Sequence, residues 1–310
     1  MQLSTLFLSS GDLIADRRYA WAQDLESKGD LAGAAELLQQ ALELTPAYAP
    51  AWFALGELQE KIGDIDAAAA AYRKACEVDP RDDRGALLNL MRLGATAPTD
   101  MPASYVRTLF DTYASKFDRA LTEGLKYSAP ALLLAAVEAT GKQHFSAMLD
   151  LGCGTGLGGV PFRSKVDMLV GCDLSPRMLD QAQQKNIYDR LEIGDVVECL
   201  KEEKTALRHY DLIIAADVFA YLPDLAPVAQ AASDVLMPGG IFAFTVEAHE
   251  GDGVRMGEAL RFAHSAAHVR AALEHAGLNV LALNSASTRM EKGAPVPGLI
   301  ACFRGKQMNC

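Results

Sequence analysis

The sequence lacks a surplus of positive charge, a cysteine pair and a long apolar run. Its 310 residues hold 29 Lys and Arg against 40 Asp and Glu, a formal net charge of −11. Such an acidic chain is not expected to bind phosphate backbones, so no nucleic-acid partner is expected. No segment approaches the ~20 apolar residues of a membrane span, and the apolar run 3–8 lacks the basic flank of a signal peptide. We therefore expect a cytoplasmic protein with no membrane partner.

The cysteines also exclude two classes of protein. They are isolated in the sequence, with neither a C-x-x-C pair nor metal-ligand spacing, at Cys76, Cys153, Cys172, Cys199, Cys302 and Cys310. We expect neither a disulfide scaffold nor a metal site. The length instead suggests two domains, since a domain usually holds on the order of 100–200 residues.

Residues 1–97 contain a repeat with a period of 34. One copy has Trp52, Leu55, Gly56, Gly63, Ala68, Tyr72, Ala75 and Pro80, and the copy before it has Trp21, Ala22, Gly29, Ala34, Leu38, Ala41 and Pro46. The pattern resembles tetratricopeptide repeats, which are pairs of antiparallel helices. A third unit from Arg84 is long enough for one capping helix. The predicted all-α domain is either a groove for a protein partner or a structural, self-associating element.

A glycine-rich turn follows the apolar segment 147–151. Gly152, Gly154 and Gly156 form G-x-G-x-G, and Asp150 precedes the first glycine by two residues. A helix start after such a turn favours an anionic ligand, but the acid at Asp150 argues against a diphosphate and for a cationic group. The stretch 149–157 resembles motif I of the class I S-adenosylmethionine-dependent methyltransferases. Gly154, Gly156 and Gly159 also spell G-x-G-x-x-G, so a nicotinamide-dependent dehydrogenase stays open.

Residues 146–310 alternate apolar strands with amphipathic helices, which is typical of a parallel sheet covered on both faces. The segments 279–287 and 299–304 are separated by a Gly- and Pro-rich link, so we expect a terminal antiparallel hairpin. The resemblance then implies an α/β Rossmann-like fold with seven strands. Its expected cofactor is S-adenosylmethionine, with S-adenosylhomocysteine as product.

Asp173 ends the second predicted strand, where a carboxylate can accept hydrogen bonds from ribose hydroxyls. The methyltransferase resemblance assigns further residues to the cofactor. Leu174 and Met178 belong to the segment after this acid, and the Met packs near adenine. Asp195 and Val196 receive the adenine amine and ring, and Asp217 follows the fourth strand. For Met178 the alternative is a core residue, because a Met on a helix face usually packs in the core.

Residues 98–145 are expected to form a linker and a helical lid. In related folds an aromatic residue of this cover closes over the cofactor, so the resemblance suggests Tyr113 and Phe117. A base is required only if the acceptor atom has a high pKa. The candidates are Tyr221, Glu247, His249 and His264, and the sequence singles out none of them. The acceptor, a small molecule or a protein, is unidentified, and an interaction protein with a non-catalytic Rossmann-like domain is the alternative.

Overall fold

The computed structural model describes residues 9–306 and divides the chain into two compact units, Met1–Pro98 and Thr99–Cys310. The cover segment 98–145 thus folds with the sheet, apart from Pro98. The apolar run 3–8 and Cys310 lie outside the described residues. Within residues 9–306, no helix is both long and apolar enough to cross a membrane.

The first unit is built from helical hairpins. Its helices are α1 (Leu13–Ser27), α2 (Leu31–Leu44), α3 (Ala49–Ile62), α4 (Ile65–Val78) and α5 (Ala86–Arg92). Asp30 and Asp64, which are one period apart, cap α2 and α4 by accepting from the N–H groups of Gly33 and Ala67. The single helix α5 ends the stack, as the short third unit predicts.

Close packing explains a small residue of the repeat. The ring of the fully buried Tyr72 lies so near Gly56 that a Cβ there would be 2.6 Å from Cε1. Only glycine therefore allows α3 and α4 to approach at this point. The glycine at this position of the repeat is thus explained by its contact with Tyr72.

The second unit contains a twisted sheet whose main path has the order β3-β2-β1-β4-β5-β11-β8. Its strands are β1 (Phe145–Leu151), β2 (Val166–Asp173), β3 (Arg190–Ile193), β4 (Tyr210–Ala215), β5 (Leu236–Ala248), β8 (Asn279–Ala286) and β11 (Gly298–Arg304). The first five are parallel to one another, and β11 is antiparallel to both β5 and β8. The predicted terminal hairpin is present.

Successive residues of the central strands enter opposite cores, because side chains alternate across a sheet. Leu149 and Ile213 pack on one face with α10 (Val196–Thr205) and α11 (Ala226–Val235), while Met148 and Leu212 pack on the other with α8 (Ala129–Glu138). Both faces are thus covered. This leaves the carboxyl ends of the parallel strands as the place for a ligand.

Three details differ from the sequence expectation. The Pro-Gly-Gly at 238–240 predicts a turn before the fifth strand, but β5 begins at Leu236 and includes these residues. Two short strands, β6 (Val254–Met256) and β7 (Phe262–His264), extend the sheet beyond the end of β5. The link before β11 holds its own hairpin, β9 (Met290–Glu291) with β10 (Ala294–Pro295).

The cover is not one continuous helix. The helix α6 (Ala103–Tyr113) is followed by a 3-10 turn, the short α7 (Phe117–Arg119) and a π-turn to Gly124. The segment after it is fixed to the hairpin link, because Ser128 N donates to Thr288 O (2.8 Å) and Met290 N donates to Leu125 O (2.7 Å). The remaining helices are α9 (Pro176–Lys185) and α12 (Ala266–His275).

Candidate cofactor and acceptor site

The glycine turn after β1 is left-handed at Gly152, Gly154 and Gly156, with φ of 60°, 55° and 91°. These positions favour glycine for conformational reasons, but their surroundings differ. A Cβ on Gly152 would lie 2.6 Å from Val218, and one on Gly156 would lie 2.9 Å from Tyr188. A Cβ on Gly154 would meet only Phe117, at 3.9 Å. Of the three, Gly154 is the one that leaves room for a ligand.

Asp150 is buried at the end of β1, at 1% exposure. Its Oδ2 accepts from the Tyr188 hydroxyl at 2.6 Å, whereas its Oδ1 has no hydrogen-bond partner among the described residues. Burial raises the pKa of this carboxyl to about 7, and the nearby Asp173 contributes in the same direction. Such a buried carboxyl oxygen is able to pair with a cationic group.

Asp173 organises the turn from the end of β2. Its Oδ2 accepts from Gly154 N (2.9 Å) and its Oδ1 from Ser175 N (2.8 Å). Burial raises its pKa to about 6 despite these two donors. Ser175 caps the next helix, α9, because its hydroxyl accepts from Met178 N at 3.1 Å.

The cover contacts this turn through two acids. Asp111 on α6 accepts from the Ser175 hydroxyl at 2.5 Å. Asp118 on α7 accepts from the Thr155 hydroxyl, and its other oxygen lies 2.6 Å from Lys185 Nζ. These contacts hold the cover against the segments that surround Asp173 and the glycine turn.

An aromatic cluster joins the cover to the segment that follows β4. Phe110 packs edge-on against Phe117 (centroids 6.1 Å apart) and against Tyr221 (5.3 Å). Tyr221 belongs to the 3-10 helix Phe219–Tyr221, which follows β4. Burial raises the pKa of its hydroxyl, so Tyr221 is suited to donate a hydrogen bond rather than to act as a base.

The carboxyl ends of β4 and β5 carry an ion network. Arg289 is 6% exposed at its side chain, and its three guanidinium nitrogens contact Asp217 (Nη1–Oδ2 3.0 Å), Glu291 (Nε–Oε1 2.9 Å) and Glu247. Arg261 bridges Glu247 and Glu291 as well. We call these five residues the arginine network. Three carboxylates face two guanidinium groups, so one negative charge is left uncompensated.

Two family models match separate parts of the chain. A family model described as a methyltransferase domain matches residues 149–242, and one described as a tetratricopeptide repeat matches residues 19–83. The chain carries a methyltransferase domain. The sequence assignment of a methyltransferase preceded by tetratricopeptide repeats is confirmed, and the dehydrogenase alternative is not supported.

Individual relatives overlap parts of the chain. The ubiquinone biosynthesis O-methyltransferase of Leptothrix cholodnii is 30% identical over 114 residues, 35% of this chain and 48% of that protein. Cellulose synthase operon protein C of Xanthomonas axonopodis pv. citri is 33% identical over 186 residues, 58% of this chain and 12% of that protein. This chain thus spans about half, or less, of the length of these relatives. A crystal structure of a S-adenosylmethionine-dependent methyltransferase from Clostridium acetobutylicum covers 64% of this chain and 99% of its own, with 19% identity and a TM-score of 0.48.

The methyltransferase domain brings several predicted cofactor residues to one edge of the sheet. Asp150, Gly154 and Asp173 surround the glycine turn. Asp195 caps α10 through Val197 N (2.9 Å), and Val196 is buried beside it. Leu174 is half-buried next to Asp173, while Met178 has no exposed surface and is a core residue. Tyr113 is half-buried at the end of α6.

Other predicted residues have different surroundings from those the sequence suggests. Asp217 is a member of the arginine network and accepts from Thr245 Oγ1 (2.6 Å) and Thr288 Oγ1 (3.0 Å). Glu247, a candidate base, is likewise held by two arginines. His249 is half-buried, with its ring nitrogens 3.3 Å and 3.2 Å from the carbonyls of Glu250 and Gly253 in its own loop.

His264 lies in the interior, not at an open strand end. It has no exposed surface, and its Nε2 lies 3.0 Å from the Phe219 carbonyl. Burial lowers its pKa to about 4, so the ring is neutral near pH 7. The ring supports the 3-10 helix that carries Tyr221 rather than serving as a proton acceptor.

Sequence reasoning missed Phe110, Tyr127, Tyr188 and Arg289. Burial, together with the charge of Asp217, raises the pKa of the Tyr127 hydroxyl well above its usual range, and Asp150 acts in the same direction. The Tyr127 hydroxyl is therefore influenced by the charges of both Asp217, after β4, and Asp150, at the end of β1. The motif Tyr-x-x-Pro, which starts at Tyr127, was the one available signal for this residue.

Proposed function

We propose that this chain transfers the methyl group of S-adenosylmethionine to a nucleophilic acceptor. The observation that carries the proposal is the buried Oδ1 of Asp150, which has no partner in the described chain and stands beside a second buried acid, Asp173. S-adenosylmethionine carries an ammonium and a sulfonium group and so brings positive charge to these carboxylates. The donor set fits this cofactor and does not fit a diphosphate, because two anionic side chains would repel it.

Each side of the cofactor has residues that suit it. Asp150 would receive the ammonium group, Asp173 the ribose hydroxyls, and the free oxygen of Asp195 the adenine amine. Gly154 offers bare backbone, and Phe117 lies above it. We extend this set to Gly152, Gly156, Leu174 and Val196 as wall residues, and to Tyr113 as part of the cover.

The bound cofactor supplies an activated methyl group, and its thioether product leaves without needing a proton. The chain then has to orient the acceptor and exclude water. The cover does the second task through Asp111 and Asp118. Tyr221 and Tyr127 are neutral hydroxyls that can hydrogen-bond to an acceptor between the glycine turn and the arginine network. Glu247 and His249 remain candidates for proton transfer.

The acceptor side has a charge preference. All three guanidinium nitrogens of Arg289 are engaged by carboxylates, and the arginine network retains one net negative charge. A carboxylate acceptor would be repelled there, whereas an amine or a neutral hydroxyl would not. We therefore propose an uncharged or cationic acceptor, and expect product formation with amines and phenols rather than with carboxylic acids of similar size.

We place a protein contact on the repeat unit. Its helix α1 exposes large apolar side chains, with Leu13 at 83%, Ile14 at 58% and Trp21 at 56%. Such side chains suit a protein partner or a second copy of the chain. Light scattering of the full chain, with Trp21→Glu as the variant, distinguishes the two. We also propose a reducing cytoplasmic location, consistent with free Cys76, Cys153, Cys172, Cys199 and Cys302.

Calorimetric titration with S-adenosylhomocysteine, S-adenosylmethionine and NAD tests the proposal. Wild-type protein should bind the first two, and Asp173→Ala should lose at least about tenfold in affinity, as expected for a hydrogen-bonded ionised group. The matched control is Asp211→Ala. Asp211 also accepts from two backbone N–H groups, those of Ser146 and Ala147, but at the start of β1. Equal losses in both variants would indicate a general folding defect, and binding of NAD alone would refute the proposal.

An interaction protein with an inactive Rossmann-like domain is the second candidate, favoured only by the apolar face of α1. It predicts no binding of either S-adenosyl compound. The intact turn and both of its acids argue against it.

A further inference from the structure

Tyr188 fills space that three glycines leave empty. A Cβ on Gly156 would lie 2.9 Å from its ring, one on Gly159 would lie 2.6 Å from its hydroxyl, and one on Gly171 would lie 2.9 Å from its ring. Any side chain at these positions would displace the tyrosine. Gly159, which completes the dehydrogenase-like spacing, is thus explained by a contact within the protein rather than by a pyrophosphate.

The hydroxyl of the same residue determines how Asp150 is presented. It donates to Oδ2 at 2.6 Å, whereas Oδ1 has no partner within residues 9–306. Because Oδ2 already accepts a hydrogen bond, Oδ1 is the oxygen at which a ligand cation meets no competing donor. The hydrogen bond also favours the ionised carboxylate, against the burial that disfavours it.

We infer that Tyr188 is a positioning residue for the cofactor, because its hydroxyl fixes Oδ2 of Asp150 and so presents Oδ1 to the ammonium group. This inference rests on the proposed cofactor. It assigns to Tyr188 a role beyond filling the core. The hydroxyl acts through Asp150 and does not touch the reacting atoms.

Other titratable groups act on Asp150 besides Tyr188. Asp173 on β2 raises its pKa, while Asp150 itself raises the pKa values of Cys153 in the turn and Tyr127 in the cover segment. Lys185 on α9 reaches the edge of the turn, with its Cδ 3.5 Å from the Cβ position of Gly156. Its ammonium contacts Asp118 and the Thr155 carbonyl. Tyr188 is the direct hydrogen-bond donor to Asp150.

The test is Tyr188→Phe, which keeps the ring and removes the hydroxyl. Affinity for S-adenosylhomocysteine is measured by calorimetry from pH 6 to pH 9. In wild-type protein, affinity should rise with pH, with a midpoint near the Asp150 pKa of about 7, and level off above it. In the variant the midpoint should move up by about one to two pH units, the usual worth of a hydrogen bond to a charged group. Adenosine, which lacks the ammonium group, should show no such shift.

The matched control is Tyr210→Phe. Tyr210 is a buried tyrosine of the same unit that donates to Glu203 at 2.5 Å, at the start of β4 and away from the glycine turn. The Tyr210→Phe variant should leave the midpoint of the pH dependence of affinity unchanged. As a second variant, Asp150→Asn should abolish the pH dependence of affinity for S-adenosylhomocysteine. Adding Tyr188→Phe to Asp150→Asn should then cause no further change in this affinity.

The outcomes separate the two claims. If wild-type protein fails to bind S-adenosylhomocysteine at any pH, the proposed cofactor is wrong and the inference falls with it. If wild-type protein binds but Tyr188→Phe keeps the wild-type midpoint, only the inference is overturned. An equal shift in Tyr210→Phe would also overturn it, since the effect would then be general.

Discussion

The guanidinium of Arg289 lies 3.0 Å from the carboxylate of Asp217, 72 positions earlier in the chain. Asp217 has a left-handed backbone, with φ of 57°. The pair connects the segment after β4 to the link before β11. The other two guanidinium nitrogens of Arg289 contact Glu247 at the end of β5 and Glu291 in β9.

Arg289→Met should therefore be strongly destabilising. The substitution leaves three carboxylates around a site where only Arg261 remains, and breaking a buried ion pair costs about 3–5 kcal/mol. Thermal unfolding at pH 8 measures the loss. The control is Arg270→Met, whose half-exposed partner Glu274 is 3.5 Å away on the same helix. It should change stability by less than about 1 kcal/mol. A similar loss in both variants would contradict the central role of Arg289.

Substitutions at Gly152 and Gly154 should separate backbone strain from steric conflict. Both residues have positive φ, so alanine costs about 1–2 kcal/mol at either position. Gly152→Ala also places its Cβ 2.6 Å from Val218 Cγ2, which adds about 1–3 kcal/mol for overpacking. Chemical denaturation should thus rank Gly152→Ala as the more harmful variant.

The double variant Gly152→Ala/Val218→Ala tests the cause of that difference. Removing the two valine methyl groups opens the space that the new Cβ needs, so the pair should show a favourable coupling of at least about 0.5 kcal/mol. Strict additivity would indicate that backbone strain alone accounts for the loss. Gly154→Ala/Val218→Ala is the control, and additivity is expected there.

The buried acid Asp150 should make stability depend on pH. Its folded-state pKa of about 7 exceeds the ordinary value of 3.8, so the folded state binds more protons than the unfolded state between these values. Its contribution to the free energy of unfolding therefore falls as pH rises through this window. Without ligand, the Tm of Asp150→Asn minus that of wild type should therefore increase by at least about 2 °C from pH 5 to pH 8.

Asp189→Asn is the control with the opposite sign. The backbone N–H of Leu169 lowers the pKa of Asp189, and Arg163 contributes to the lowering. This acid stabilises the folded state once it is ionised, so its replacement should lose Tm at pH 8. Parallel curves for Asp150→Asn and wild type would show that Asp150 has an ordinary pKa.

Lys185→Met should loosen the cover. Lys185 Nζ lies 2.6 Å from Asp118 and 2.7 Å from the Thr155 carbonyl. Because the pair is partly exposed, at 23% and 42% of the side chains, it is worth about 1 kcal/mol at most. Hydrogen exchange in Ala103–Arg119 should become about two- to fivefold faster, with β4 and β5 unchanged.

Lys201→Met removes a lysine from an exposed pair with Glu198 on α10. It should leave exchange of the cover unchanged. Faster exchange throughout the second unit in Lys185→Met would mean that this lysine stabilises the whole domain rather than its cover.

The sequence by itself determined the features that depend on local spacing. The period of 34 predicts the helical hairpins, and Gly56 is part of that pattern because Tyr72 fits against it. The turn with Asp150 and the acid at Asp173 follow strand ends, and strand ends can be located from apolar runs. The terminal hairpin follows from the Gly- and Pro-rich link between two apolar segments.

Tertiary structure alone decided which side chains meet at the site. Tyr188 reaches Asp150 across 38 positions and Arg289 reaches Asp217 across 72, and no local pattern indicates either partner. The same holds for His264, a candidate base from the sequence, which lies in the interior with its Nε2 3.0 Å from the Phe219 carbonyl because β7 adds to the sheet. Local spacing places a residue on a strand or a turn, but the packing of distant segments decides whether its polar atoms face a ligand or another side chain.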